Sequence, residues 1–161
     1  MLNQLAPHSR IWIYQANRFI IADEQISINT KLKEFISGWA SHGNVLYGAH
    51  SIEENLFLIV GADEQKSPTS GCSIDSLNRF VQKLGEELKI NFFDRLTIAY
   101  INENQKIELA SMADFKSMIQ SELINENTTV FNNLIATKAE LDATWKTSVK
   151  NSWHKNLLEI A

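Results

Sequence analysis

Residues 45–62 read VLYGAHSIEENLFLIVGA, and this stretch decides the fold. It contains two apolar runs, Val45–Ser51 and Leu56–Ala62, separated by the polar break Ile52-Glu53-Glu54-Asn55. Two apolar runs joined by a short polar break are typical of a β-hairpin. The second run is far shorter than the roughly 20 apolar residues that cross a membrane, so it predicts a buried strand.

A strand and a helix are predicted before this hairpin. The stretch Ile11–Gln15 (IWIYQ) is rich in branched and aromatic side chains, which suit a pleated strand. From Ile28 to Trp39 apolar residues recur every three or four positions, as on one face of a helix. Gly43 is the predicted stop of this helix, and His42 is predicted to favour its C-terminal end.

The clearest helical pattern follows the hairpin. Its apolar stripe starts one residue after Ser73, which is predicted to cap the first turn, and comprises Ile74, Leu77, Phe80, Val81, Leu84 and Leu88. Beyond it, Leu96–Ile101 and Lys106–Leu109 flank a second polar break and predict a second hairpin.

The C-terminal third has weaker patterns. Ser111 is predicted to start a third helix, Asn125–Asn133 reads as a loop, and Thr137-Lys138-Ala139-Glu140 is a capping box before a further helix. The order β-α-β-β-α-β predicts an α+β fold with a ferredoxin-like antiparallel sheet, extended by an extra strand and C-terminal helices. Residues 1–161 show no linker and are predicted to form a single domain.

Composition and charge exclude several classes of protein. With 44% hydrophobic and 21% charged residues, the chain is that of a folded domain rather than a disordered one. The net charge of −4 gives no basic surface for nucleic acid or for an anionic membrane, so neither partner is expected. A single cysteine, Cys72, cannot form an internal disulfide, and residues 1–10 hold no secretory apolar core. The predicted location is cytoplasmic.

Motifs for nucleotides and metals are missing from the sequence. No Gly-Lys pair and no Gly-x-Gly is present, which excludes a Walker phosphate loop and the dinucleotide fingerprint. The four histidines, His8, His42, His50 and His154, do not lie at the spacing that puts two ligands on one helical face. We therefore expect no metal site and no cofactor.

The loop before the clearest helix is the candidate site. A thiol at a helix N-terminus lies at the positive end of the helix dipole, which favours the thiolate and makes Cys72 a candidate nucleophile. Without a CxxC partner or a nearby base, Cys72 is instead expected to pack on Leu77 as part of a hydrophobic staple. Hydroxyls and backbone N–H groups of the loop also suit a small anion, although the Asp75 carboxylate opposes it. The predicted ligand-binding residues are Asp63, Ser70, Gly71, Cys72, Ser73 and Asp75.

Two aromatic side chains and a histidine lie near the C-terminus. Trp145, Trp153 and His154 suit an interaction surface, because aromatic residues are enriched at binding hot spots. Tryptophan also packs terminal segments onto a core, and this is the interpretation we favour.

Several blocks together resemble one family. They are Ile11–Gln15 (IWIYQ), Trp39–Gly43 (WASHG), Ser70–Asp75 (SGCSID), Phe92–Arg95 (FFDR) and Ser152–His154 (SWH). The chain resembles, over most of its length, an uncharacterised family of short bacterial proteins sometimes labelled ABC transporter ATPase. The resemblance implies no established activity, ligand or catalytic residue. Because the chain has neither a phosphate loop nor a Leu-Ser-Gly-Gly-Gln signature, no ATPase activity is expected.

The sequence leaves two kinds of function open. The first is a module that binds a small ligand or a protein. The second is a thiol-dependent enzyme or redox protein that uses Cys72, with Ser70, Ser73 or Asp75 positioning the substrate.

Overall fold

A computed structural model describes residues 1–160, which form two compact units. Unit 1 comprises Met1–Asp94 together with Ala136–Leu141, and unit 2 comprises Arg95–Ile135 together with the chain from Asp142 onwards. The chain is of mixed α+β class, as predicted. That all 161 residues act as one domain stays a prediction.

Unit 1 contains a three-stranded antiparallel sheet, two long helices and a short hairpin. Its elements are a 3-10 turn (Leu2–Gln4), β1 (Arg10–Gln15), α1 (Ala22–Gly38), β2 (Ala40–Ser41), β3 (Asn44–Val45), β4 (Gly48–Glu53), β5 (Phe57–Ala62) and α2 (Gly71–Leu88). The strand order in the sheet is β1-β5-β4, and every side chain of β5 is buried. The predicted hairpin is therefore confirmed as β4 and β5, with Ala49 opposite Gly61. Its first strand is Gly48–Glu53 rather than Val45–Ser51, because Ile52 and Glu53 pair with β5 and Val45 belongs to β3.

Both helices cover the same face of this sheet. Tyr14 of β1 donates its hydroxyl to Asn78 of α2 over 2.7 Å, and His50 of β4 lies 3.2 Å from Asn29 of α1. In the strand register Tyr14 lies opposite Leu58 and His50 opposite Val60, two residues that share one face of β5. The stripe predicted for α2 is largely confirmed, since Leu77, Val81 and Leu84 are buried.

Phe80, of the predicted α2 stripe, and Ile98, of the predicted strand Leu96–Ile101, lie away from the sheet of unit 1. The Phe80 ring stacks on Phe35 of α1, with 4.4 Å between centroids, and is only half-buried. Phe80 therefore contacts the neighbouring helix. Ile98 belongs to the core of unit 2, where it is buried with Phe115.

The first helix differs from its prediction at both ends. It starts at Ala22, where the first turn is polar and Glu24 accepts the backbone N–H of Ile21 over 3.1 Å. It ends at Gly38, so the predicted stop at Gly43 is wrong. His42 and Gly43 have φ of 50° and 81° and form the two-residue turn between β2 and β3, where a left-handed conformation is required. His42 therefore does not cap a helix.

Unit 2 is built on a second antiparallel sheet. Its elements are β6 (Thr97–Ile101), β7 (Ile107–Ser111), α3 (Met112–Gln120), β8 (Thr129–Phe131), β9 (Lys146–Ser148), a 3-10 turn (Val149–Asn151) and α5 (Lys155–Ile160). The strand order is β7-β6-β8-β9. The second predicted hairpin is confirmed as β6 and β7, whereas the loop predicted for Asn125–Asn133 contains β8. One further helix, α4 (Lys138–Thr144), begins in the segment of unit 1 and ends in unit 2.

The predicted helix starts in the C-terminal third are confirmed. The Ser111 hydroxyl accepts the N–H of Asp114 over 3.1 Å at the start of α3. Thr137 and Glu140 bond reciprocally, with the Thr137 N–H 3.0 Å from the carboxylate and the Glu140 N–H 3.2 Å from the hydroxyl. The bonded residues of each motif lie only three positions apart, so the local sequence pattern is enough to predict them.

A single ferredoxin-like sheet is not confirmed. The strand predicted at Leu96–Ile101 as its fourth member is β6, which lies in the sheet of unit 2. The remaining edge of β1 instead bonds the returning segment of unit 1: the Ile11 N–H donates to Ala136 over 2.9 Å, and the Lys138 N–H donates to Ser9 over 2.9 Å. Among residues 1–160, no helix has the length and apolar character needed to span a bilayer.

Candidate functional site

The loop between β5 and α2 holds the residues predicted from sequence, and two of them form the helix cap. The Ser70 hydroxyl accepts the Ser73 N–H over 3.2 Å, and the Ser73 hydroxyl accepts the Ser70 N–H over 2.7 Å. Ser70 is therefore the capping residue, and the prediction of Ser73 is wrong by one turn. Ser73 is buried, and its carbonyl accepts the indole N–H of Trp39 over 2.8 Å.

Cys72 lies in the first turn of α2 and is exposed. The prediction that it packs on Leu77 is therefore wrong. The reason is the earlier helix start, which moves Cys72 from the position before the cap to the second position of the helix. Gly71 and Asp75 are exposed as well.

Asp63 directly follows β5 and is buried, with only 3% of its surface exposed. Its carboxylate lies 2.7 Å from Nε2 of His8 and accepts the Gln65 N–H over 3.1 Å. The hydrogen bond with His8 is the main cause that lowers the pKa of Asp63 below its usual value, and the backbone bonds act in the same direction. Asp63 thus fixes the start of the loop. The pairing with His8 spans 55 residues of sequence, so no local pattern indicates it.

The six predicted residues fall into three groups in the structure. Ser70 and Ser73 bond each other, Asp63 bonds His8, and the other three are exposed. Ligand binding by these residues stays a prediction. Within residues 1–160, no three His, Cys, Asp or Glu side chains come together in a group that could hold a metal ion.

The opposite end of α2 forms a groove of about 530 Å³ that the sequence does not indicate. Its apolar wall is formed by Val81 of α2 and by Ile90 and Phe92 of the segment after the helix. The chain turns back closely at this point, because Lys89 adopts a left-handed conformation with φ of 56° and the Ile90 N–H donates to the carbonyl of Gly85 over 2.9 Å.

Gly85 is needed for this return of the chain. A Cβ atom placed on Gly85 would lie 2.4 Å from the carbonyl oxygen of Ile90 and 3.2 Å from Cδ2 of Phe92. The backbone oxygen cannot move without displacing the whole turn. The close approach of this segment to α2 therefore requires glycine at position 85.

Two asparagines hold the rim of the groove. Asn17 follows β1 and donates its N–H to the carbonyl of Asn91 over 3.1 Å, while the Asn91 N–H donates to Oδ1 of Asn17 over 2.8 Å. Oδ1 of Asn91 in turn accepts the Phe93 N–H over 2.9 Å. The Phe93 ring is 41% exposed and lies edge-on to Tyr14, with 5.6 Å between centroids. These bonds fix the rim and present an aromatic ring beside it.

Unit 2 contains a buried serine and histidine pair. The Ser152 hydroxyl lies 2.7 Å from Nδ1 of His154, and both residues are buried. Burial lowers the pKa of His154 to about 4, so the imidazole is neutral at pH 7. Trp153 stacks on His154 at 3.9 Å, and Trp145 is buried, as expected for tryptophans that pack a terminal segment onto a core. Because both residues are buried, this pair presents no accessible site.

The chain was compared with protein-family models, with curated proteins and with solved structures, and none of the three comparisons finds a match. The family resemblance stays a prediction.

Proposed function

We propose that this protein is a binding module for a small ligand and that the ligand occupies the groove at the C-terminal end of α2. The observation that carries the proposal is the groove of about 530 Å³, which combines an apolar wall with polar side chains at its rim. Ligand sites of roughly 300 to 1,000 Å³ with this mixture are the usual form of small-molecule pockets.

The rigidity of the rim supports this proposal. Asn17 and Asn91 are joined by one bond between their backbones and by a second from the Asn91 N–H to the Asn17 side chain, and the turn that follows α2 is closed by the bond between Ile90 and Gly85. A site held by backbone hydrogen bonds is already formed before a ligand arrives, which lowers the entropic cost of binding.

Binding can be tested by recording amide spectra of the labelled protein during titration with a set of aromatic and heteroaromatic fragments. We expect shifts at Gly85, Asn91 and Phe93, and no shift at Cys72, which lies about 20 Å from Gly85 along the helix at about 1.5 Å per residue. Phe93→Ala should weaken binding. Its matched control is Phe19→Ala, since Phe19 is 43% exposed and does not line the groove. If no fragment moves the groove signals, or if both variants behave alike, the proposal is wrong.

A second candidate function is a thiol-dependent reaction at Cys72. The observation that favours it is the exposure of this side chain in the first turn of α2. The test is the rate of iodoacetamide labelling at pH 7 in the native and the urea-unfolded protein. Faster labelling of the native protein would support a reactive thiol. Equal or slower labelling would leave the groove as the functional site.

Membership of the family of short bacterial proteins described above is also proposed, on the strength of the five sequence blocks. A cytoplasmic location agrees with the single free cysteine.

A further inference from the structure

We infer that the groove selects an uncharged, planar ligand with a carbonyl acceptor on its edge, such as an aromatic amide or a lactam. This inference rests on the proposed function and adds the chemical class of the ligand. Three features of the groove support it: the orientation of its amide side chains, the balance of its charges and its exposed aromatic ring.

The amide side chains are oriented by the backbone. Oδ1 of Asn17 accepts the Asn91 N–H, and Oδ1 of Asn91 accepts the Phe93 N–H. Because each amide oxygen already has a backbone donor, each NH₂ group is the part that is left to meet a ligand. The rim therefore presents two neutral donors, and these suit a carbonyl or ring-nitrogen acceptor.

The charged residues of the groove cancel each other. Glu86 and Lys89 lie one turn apart near the end of α2, and both line the groove, as does the neutral Gln82. An anionic ligand would be attracted by Lys89 and repelled by Glu86, and a cationic ligand the reverse, so neither gains a net electrostatic attraction. A charged ligand would lose hydration on entering the groove without that compensation, whereas a neutral ligand avoids this cost and can still bond the two amide groups.

The aromatic ring at the rim favours a flat ligand. Phe93 is held edge-on to Tyr14, whose own hydroxyl is fixed to Asn78 over 2.7 Å. The ring therefore has one supported side and remains 41% exposed. A planar ligand can cover the exposed part by stacking or by an edge-to-face contact.

The inference is tested with three probes of similar size that differ in charge, namely benzamide, benzoate and benzylammonium. Binding is followed by amide shifts of the labelled protein at pH 7. We expect benzamide to bind in the groove more tightly than either charged probe. Asn17→Asp and Asn91→Asp keep the oxygen that caps the backbone and remove the NH₂ donor. Each substitution should lower the affinity for benzamide by about threefold to tenfold, the effect of one lost hydrogen bond, and should raise the affinity for benzylammonium.

The matched control is Asn125→Asp in unit 2. Oδ1 of Asn125 accepts the Asn127 N–H over 2.8 Å, the same type of turn that Asn91 makes, but it lies outside the groove. It should leave the affinity for all three probes unchanged. If benzoate or benzylammonium binds the groove more tightly than benzamide, the inference is wrong while the proposed function stands. If none of the three probes binds there, the inference is wrong, and the fragment titration alone decides the proposed function.

Discussion

Acidification should destabilise unit 2 through His154. The unfolded chain takes up a proton near pH 6.5, the ordinary value for histidine, whereas burial lowers the pKa of His154 to about 4 in the folded protein. Between these values the unfolded state binds more protons, so the free energy of unfolding falls as the pH falls from 6.5 to 4. At about 1.4 kcal/mol for each pKa unit, the loss is about 3 kcal/mol, and it levels off below pH 4.

The assay is urea unfolding at a series of pH values, followed by amide spectra in which Val130 and Val149 report on unit 2. His154→Leu removes the titrating group at nearly constant volume and should flatten the dependence between pH 6.5 and 4. His50→Asn serves as a control, because burial and the N-terminal charge also lower the pKa of His50, but it belongs to unit 1. A folded-state titration of the His154 ring near pH 6.5, or an unchanged dependence in His154→Leu, would refute the reasoning.

Three further outcomes are expected. Gly85→Ala should lower the free energy of unfolding by about 1 to 3 kcal/mol and reduce ligand binding, because its Cβ would lie 2.4 Å from the Ile90 oxygen. The control Gly38→Ala, whose Cβ meets no atom within 4 Å, should not lower the stability, and thermal melts of both variants check this. Phe80→Ala should lower the stability by only about 2 kcal/mol, since the ring is half-buried on Phe35, and a loss above about 4 kcal/mol would contradict this packing. The purified protein should not hydrolyse ATP with magnesium, and turnover that survives purification and is stopped by a chelator would overturn this expectation.

The features that sequence predicts well are those with local causes. The stripe of α2, the two hairpins and the caps at Ser111 and Thr137 each depend on residues within a few positions of one another. Periodicity and hydrogen bonds over three or four residues act before distant parts of the chain meet. The error at the start of α2 also has a local cause. Ser70 and Ser73 are both suitable capping residues, and only the hydrogen bonds of the folded loop show that Ser70 is the cap.

The features that sequence misses depend on distant residues. The Leu96–Ile101 strand has the right composition, but its partners in the sheet are β7 and β8 rather than β1. The edge of β1 is taken by Ala136, and neither choice is visible in the pattern of either segment. Register and partner choice are set by the whole sheet, so a correct list of strands does not determine the topology.

The candidate site shows the same limit. Cys72 and its neighbours are predicted as a site from sequence because a thiol at the start of a helix is favoured as the thiolate. The groove instead depends on the bonds between Asn17 and Asn91, which lie 74 residues apart, and on a glycine within α2. Asparagine and glycine are common residues, so their types alone do not indicate a site. Their role in forming the groove is evident only from their contacts in the folded chain.

The return of Ala136–Leu141 to unit 1 has a consequence for biosynthesis. The ribosome completes β1 through α2 more than 40 residues before it releases the segment that bonds Ser9 and Ile11. Until then the outer edge of β1 has unpaired backbone groups, of the kind that recruit other strands. Cutting the gene after Asp94 would leave the same edge open permanently, so a shortened protein should be prone to aggregate, and supplying residues 136–141 as a separate peptide should restore its solubility.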